Sequence, residues 1–351
     1  MAVCALGMLP SESKAQFCSR PCPPPPISST SVDNTISAEF TAFDLGSRFL
    51  RTISDHTLSS FGGGYTLPNA EGGGAGNEPP HYRSWVESYG LWSSTGQQGS
   101  YVGDSRHSLG GVAGFGANVA PGGWVGVSID HSQTNISSPA AAQAATFDLT
   151  QVGLNGSYEF GAWTISGGLI RGFGGVGSNR DTPVGPVGTS FGADLWGAIT
   201  ELNYYWGLGS ARIVPKIGAD WIRTHTVAYT ESGSNLFAVS VPDAVGTRTR
   251  VFAGAELGNS WLIDKMLFDL SAYGRFAEAV EQNQPSLLVT STSGANPLLL
   301  QGALEGKEGI DAGTMATLRL TALSRVYLGF ESHFRNGYQA YGGTIGGEIK
   351  W

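Results

Sequence analysis

From Tyr82 to Trp351 apolar and polar residues alternate with a period of two, and no other feature narrows the possible folds of this chain so far. The clearest stretches lie late. Within 324–336, Val326, Leu328, Phe330 and Phe334 share one face, while Arg325, Glu331, His333 and Arg335 share the other. Within 267–278, Phe268, Leu270, Ala272 and Phe276 oppose Asp269, Ser271, Tyr273 and Arg275. Ile213, Pro215, Ile217, Ala219 and Trp221 oppose Lys216, Gly218 and Asp220. Val251, Ala253, Ala255 and Leu257 oppose Arg250 and Glu256. Successive side chains of a strand point to opposite faces, so each stretch reads as a strand with one apolar and one charged side.

Twelve such segments can be counted: 82–93, 105–120, 122–133, 145–160, 162–174, 190–207, 210–228, 246–260, 261–279, 306–321, 324–336 and 338–351. Each is long enough for a tilted strand to cross a bilayer, which needs about nine to eleven residues. An even number lets the sheet close without a free edge. Short connections (Pro121-Gly122, Gly161, Gly207-Leu208-Gly209, Asn259-Ser260, Leu323) alternate with longer ones at 94–104, 134–144, 175–189, 229–245 and 280–305. The tight Asn336-Gly337 hairpin is the exception.

Composition says what faces the apolar side. Only 14% of residues are charged, against roughly 25% in soluble domains. Lysines are confined to positions 14, 216, 265, 307 and 350. No stretch of about 18 apolar residues exists, so a membrane helix is excluded and a closed barrel is the other structure that satisfies every backbone group in lipid. The expected fold is therefore all-β: a closed 12-stranded antiparallel transmembrane β-barrel with a short N-terminal helix. Trp92, Trp124, Trp163, Trp206, Trp221, Trp261 and Trp351 fall towards strand ends, where an aromatic girdle meets the headgroups. The formal net charge of −8 argues against a nucleic-acid partner.

The first 81 residues have another organisation. Ala2–Leu9 is apolar and Ser13-Lys14-Ala15 supplies a small-x-small cleavage site, so 1–15 is expected to be an export signal. No Lys or Arg precedes the run, so either the signal is unusual or its start lies upstream of Met1. Cleavage would remove Cys4 and leave Cys18 and Cys22 in an oxidising compartment, as candidates for a disulfide. Pro21–Pro26 is a stiff spacer. From Asp33 to about Ser60, Ile36, Phe40, Phe43, Leu50 and Ile53 recur at helical spacing, with Asp33 or Asn34 as the cap. Such a helix either threads the barrel or stands apart as a small exposed or periplasmic one. Gly62–Pro80 is a glycine-rich linker.

The last strand carries the sharpest local pattern: a polar residue, a glycine two later, a hydrophobic three beyond and a final aromatic, at Thr344, Gly346, Ile349 and Trp351. This resembles the C-terminal signal by which outer-membrane barrels are read by the barrel-assembly machinery. Trp85–Ser93 (WVESYGLWS), Leu109–Asn118 (LGGVAGFGAN), Gly123–Ser132 (GWVGVSIDHS) and Ala211–Trp221 (ARIVPKIGADW) resemble the autotransporter β-domain, over about 82–351. The resemblance implies a type V secretion translocator in the bacterial outer membrane. Its expected partners are outer-membrane lipid, the assembly machinery and its own N-terminal segment in the lumen; it would be monomeric. The family's passenger is usually several hundred residues long, whereas about 65 separate Gln16 from His81. No self-cleavage motif of the family is visible.

Signals of catalysis are poor. Gly188-Thr189-Ser190-Phe191-Gly192 fits G-x-S-x-G but lies where a loop enters a strand, not at a strand-to-helix elbow. Gly103-Asp104-Ser105 falls between two strands. The six histidines show no metal-ligand spacing, and Gly110–Gly116 does not open a helix. No enzyme activity, metal or cofactor is expected. Glu159, Glu201, Lys216, Asp220, Arg250, Glu256, Asp269, Arg275, Asp311, Arg319, Glu331 and Arg335 are expected to line a polar interior, as ion pairs across the lumen or as contacts to the helix. Besides the translocator, two readings stay open: a small pore, and an adhesin that binds through loops such as 229–245 and 280–305.

Overall fold

The computed structural model describes residues 27–28, 30–56, 80–233, 236–284 and 286–351. The export signal, Cys18 and Cys22, the proline spacer and nearly all of the glycine-rich linker lie outside these. Twelve long strands form the wall: β1 (Tyr82–Thr95), β2 (Asp104–Ala120), β3 (Gly123–Ser138), β4 (Gln143–Phe160), β5 (Trp163–Arg180), β6 (Val187–Tyr204), β7 (Ala211–Thr226), β8 (Ala244–Ile263), β9 (Met266–Asn283), β10 (Glu308–Arg319), β11 (Ser324–Arg335) and β12 (Tyr338–Lys350). Each pairs antiparallel with its sequence neighbours. β12 returns to β1 in register from Arg83↔Lys350 to Thr95↔Tyr338, so no edge is left.

One set of connections is short. Gly122 and Gly161 turn the chain with φ of +77° and +65°, a region that glycine enters without steric cost. At the opposite end the expected long connections are narrower, because the strands run on. β3 extends to Ser138 and β4 begins at Gln143, so 134–144 shrinks to a single 3-10 turn at Pro139–Ala141. Two connections remain long, after β7 and after β9, and they are not irregular. Tyr229–Thr230, Val239–Val241, Ser286–Ser291 and Leu298–Gln301 pair into a separate four-stranded sheet.

The outer wall is apolar. Leu154, Leu169, Ile217, Leu257, Leu328 and Ile345 are each more than half exposed, as a lipid-facing surface must be. Trp163 meets Tyr204, Trp261 meets Phe268, and Tyr82, Phe115 and Trp351 form an aromatic group, all at the short-turn end. Trp124 departs from the expected girdle: it is half-buried, with the Arg83 guanidinium 4.2 Å from its ring.

A helix, α1 (Asp33–Asp55), lies inside the barrel. The chain leaves the helix at His56, and 57–60 of the expected 33–60 span fall outside the described residues. Its 23 residues at about 1.5 Å each give roughly 35 Å, enough to span a hydrocarbon layer of about 30 Å. Nearly every side chain is buried, polar ones included, because barrel surrounds it on all sides. The alternative of a helix standing apart is thereby set aside.

Candidate functional site in the barrel lumen

Two stripes of α1 meet two different halves of the wall. Leu45, Phe49, Leu50 and Ile53 are at most 2% exposed and join one apolar cluster with Phe147, Leu149, Ile170, Leu195 and Ile222 of β4 to β7. Glycine lets the surfaces close: a Cβ on Gly168 of β5 would lie 2.9 Å from Ile53 Cδ1. Asp44, Arg48 and Arg51 turn the other way. Arg48 reaches Glu87 at 2.8 Å and Glu331 at 3.5 Å, Arg51 reaches Glu331 at 3.3 Å, and Asp44 receives Arg106 at 3.3 Å. Buried charges persist only when paired, and these pairs fix the rotation of the helix about its axis.

Each end of α1 is fastened. Asp33 and Asn34 were the expected cap, yet no side-chain cap forms and Val32 holds that position. They bond the wall instead. The Asp33 carboxylate accepts from the Val102 amide at 3.3 Å, and Asn34 Nδ2 donates to Ala144 O (3.0 Å) and Ser178 Oγ (2.7 Å). This end lies among the long connections. Val32, Ile36 and Phe40 share a second apolar cluster with Tyr101 and with Val239, Val241, Leu287, Val289 and Leu300 of the loop sheet. Arg248 ties the layers by donating to Glu305 (2.6 Å), Ser47 Oγ (2.6 Å) and Phe43 O (3.0 Å). At the other end His56 stacks on Trp85, 3.7 Å between centroids, with Tyr327 Oη 3.2 Å from its Nε2 and Arg83 donating to its carbonyl. Tyr82 begins β1 at this same end.

The twelve charged residues singled out from sequence fall as follows. Glu256 pairs with Arg212 (2.9 Å) and Lys216 (3.2 Å), and Asp269 with Arg212 (2.6 Å). Asp220 pairs with Arg250 (2.7 Å). Asp311 gathers Arg275 (2.9 Å), Arg335 (3.1 Å) and His333 (2.8 Å). Glu331 meets the helix through Arg48 and Arg51, and Glu201 is buried beside a cavity. Glu159 and Arg319 are only half-buried. These wall pairs run laterally between adjacent or next-but-one strands and not across the lumen, and the contacts to the helix accompany them. Sequence reasoning passed over Glu87, Arg106, Arg212 and Arg248, and over the apolar inner half altogether. The available signal was β5, where Leu169 and Ile170 put apolar residues on both faces.

Of the terminal pattern, Thr344 bonds Arg48, and its Oγ1 lies 3.2 Å from Glu87. Gly346 lies under the Tyr327 ring, where a Cβ would sit 2.4 Å from Cζ. Ile349 and Trp351 are exposed on the outer wall, and Trp351 exchanges both backbone bonds with Tyr82 at 3.0 and 2.9 Å. Ser190 stands inside β6, away from any elbow, and no group of three or more metal-binding side chains occurs among the described residues.

A closed wall with an apolar exterior and a segment of its own chain through the lumen defines a transmembrane β-barrel with a lumenal helix. Residues 84–331 match the family model of the autotransporter β-domain, and the chain belongs to that family. Among solved structures it is similar to the translocator domain of the autotransporter NalP from Neisseria meningitidis, with 13% identity and a TM-score of 0.71, over 92% of this chain and 100% of that one. It is also similar to the β-domain of the Bordetella autotransporter BrkA, with 12% identity and a TM-score of 0.60, over 77% of this chain and 100% of that one. At such identities the likeness is one of fold. A comparison with curated protein sequences found no match. The family places the protein in the bacterial outer membrane as a transport domain, in contact with lipid.

Proposed function

We propose that this barrel carries its own N-terminal segment to the cell surface and keeps α1 as the trailing part of that segment. The direction of the helix carries the reading. Asp33 lies among the long connections and His56 beside the start of β1, so α1 begins at the long-loop mouth and ends at the short-turn mouth. In outer-membrane barrels the long loops face outward and the short turns face the periplasm. On this reading 1–15 is the export signal, 16–81 the short exported and spanning segment, and 82–351 the translocator. The pore and adhesin readings have no observation of their own in support, since α1 fills much of the lumen and the long loops are engaged with it.

An epitope tag inserted after Gln16 should be labelled on intact cells by an impermeant reagent. A tag labelled only once the outer membrane is breached would sink the proposal. The assembly machinery is proposed to read the β12 pattern, with Gly346 giving room to Tyr327 and Trp351 closing the seam against Tyr82.

A further inference from the structure

On the side of α1 away from its apolar contacts, Arg48 and Arg51 bridge to the wall and a cavity of about 130 Å³ remains beside them. That is room for several waters or for a small organic molecule. The charges around it balance, with two exceptions. Arg48 and Arg51 are matched by Glu87 and Glu331, and Arg275 by Asp311. Lys216 and Arg212 are matched by Glu256 and Asp269. Glu201 and Asp55 also line the cavity; among the described residues neither has an ion pair within bonding distance, and the charge nearest to both is Lys216, which is already bound by Glu256. Glu201 is 5% exposed, and its Oε1 is buried without a hydrogen-bond partner. A buried carboxylate left in that state is costly unless something supplies a donor.

We propose that this cavity binds a small organic cation bearing a primary ammonium group, held by Glu201 and Asp55. The cationic side chains nearby are already engaged by carboxylates, so an anion finds no partner. A metal ion would want more protein ligands than these two carboxylates, and no cluster of three exists among the described residues. An ammonium, by contrast, needs acceptors and charge without strict geometry, and its N–H groups can reach both carboxylates directly or through water. Lys216 is the nearest competitor, and Glu256 holds its Nζ at 3.2 Å. The cavity lies towards the His56 end, because Asp55 is the last residue of α1, so the amine would enter from the short-turn side.

The test is thermal unfolding of the full-length protein in detergent micelles, titrated with putrescine, with sodium chloride and tetramethylammonium chloride at matched ionic strength. A saturable rise in Tm is expected with putrescine alone. Tetramethylammonium carries the charge without an N–H and should not reproduce it. Glu201→Gln should weaken the apparent affinity about tenfold or more, the scale of losing one charge-assisted bond, and Asp55→Asn should weaken it as well. No rise, an equal rise with tetramethylammonium or sodium, or an undiminished rise in Glu201→Gln would each overturn the proposal. Should Glu201→Gln fail to assemble, as judged by its heat-modifiable band, Asp55→Asn decides by the same criterion.

Discussion

Gly346 sits beneath an aromatic ring that reaches from the wall to the helix. Tyr327 crosses over it, and the Tyr327 hydroxyl lies 3.2 Å from His56 Nε2. A methyl group there would displace the ring and loosen that contact. Gly346→Ala should therefore destabilise the folded barrel by about 1–3 kcal/mol, the usual cost of overpacking, seen as a lower urea midpoint for loss of the heat-modifiable form. An unchanged midpoint would show that Tyr327 can move aside freely. Arg48 stands at the opposite extreme, since it is fully enclosed and serves both Glu87 and Glu331. Arg48→Met would leave the buried Glu87 carboxylate without its guanidinium and Glu331 with Arg51 alone. Removing one partner of a buried pair costs about 3–5 kcal/mol, so this variant should fold to a barrel of markedly lower Tm. Replacing Glu87 by Gln in the same chain should recover part of the loss, and additivity of the two changes would argue against their coupling.

The elements differ in how openly they were written. β8, β9 and β11 show clean alternation because their inner faces meet mostly charge, whereas β4 to β7 meet the apolar stripe of α1 and carry hydrophobic residues on both sides. Their pairing could be counted from the sequence, but the character of their inner face could not. The helix was legible from Ile36, Phe40, Phe43, Leu50 and Ile53; its place was not, since spacing within a helix says nothing of what encloses it. The loop sheet was missed entirely, although Leu287, Val289, Leu298 and Leu300 are unusual residues for solvated loops. Its attachment carries a pH dependence. Burial alone would raise the Glu305 carboxyl, but the Arg248 guanidinium at 2.6 Å outweighs this and holds it below the usual carboxylate range. A depressed folded value means the contribution is complete above the unfolded value of roughly 4.3 and fades as the pH falls through the folded one. Amides of Ser286–Ser291 and Val239–Val241 should therefore lose protection in acid, measured against the intrinsic exchange rate at each pH, while the wall stays protected. Glu305→Gln should remove that acid sensitivity; if it persists, another group governs the loops.

At the scale of the molecule, wall and helix form one folded unit. Deleting 33–55 would leave Phe147, Leu149, Ile170, Leu195 and Ile222 facing an empty lumen. That variant should unfold at lower temperature than the full chain and pass more ionic current in planar bilayers; identical conductance would mean the helix does not obstruct the pore. The β1–β12 seam, closed by Trp351 and Tyr82, is the other global determinant, and Trp351→Ala should lower the yield of heat-modifiable barrel in cells. The bonds that fasten α1 have a further consequence. They run from helix to wall at many depths, from Asn34 near one mouth through Arg48 and Arg248 to His56 near the other. With the N-terminal segment displayed as proposed, a force applied to it outside the cell would pull along the helix axis, across these bonds and not along them. The load would be shared in shear by many attachments instead of being met by one at a time. A segment displayed on such an anchor could bear tension from a surface or a neighbouring cell, with the barrel as its footing.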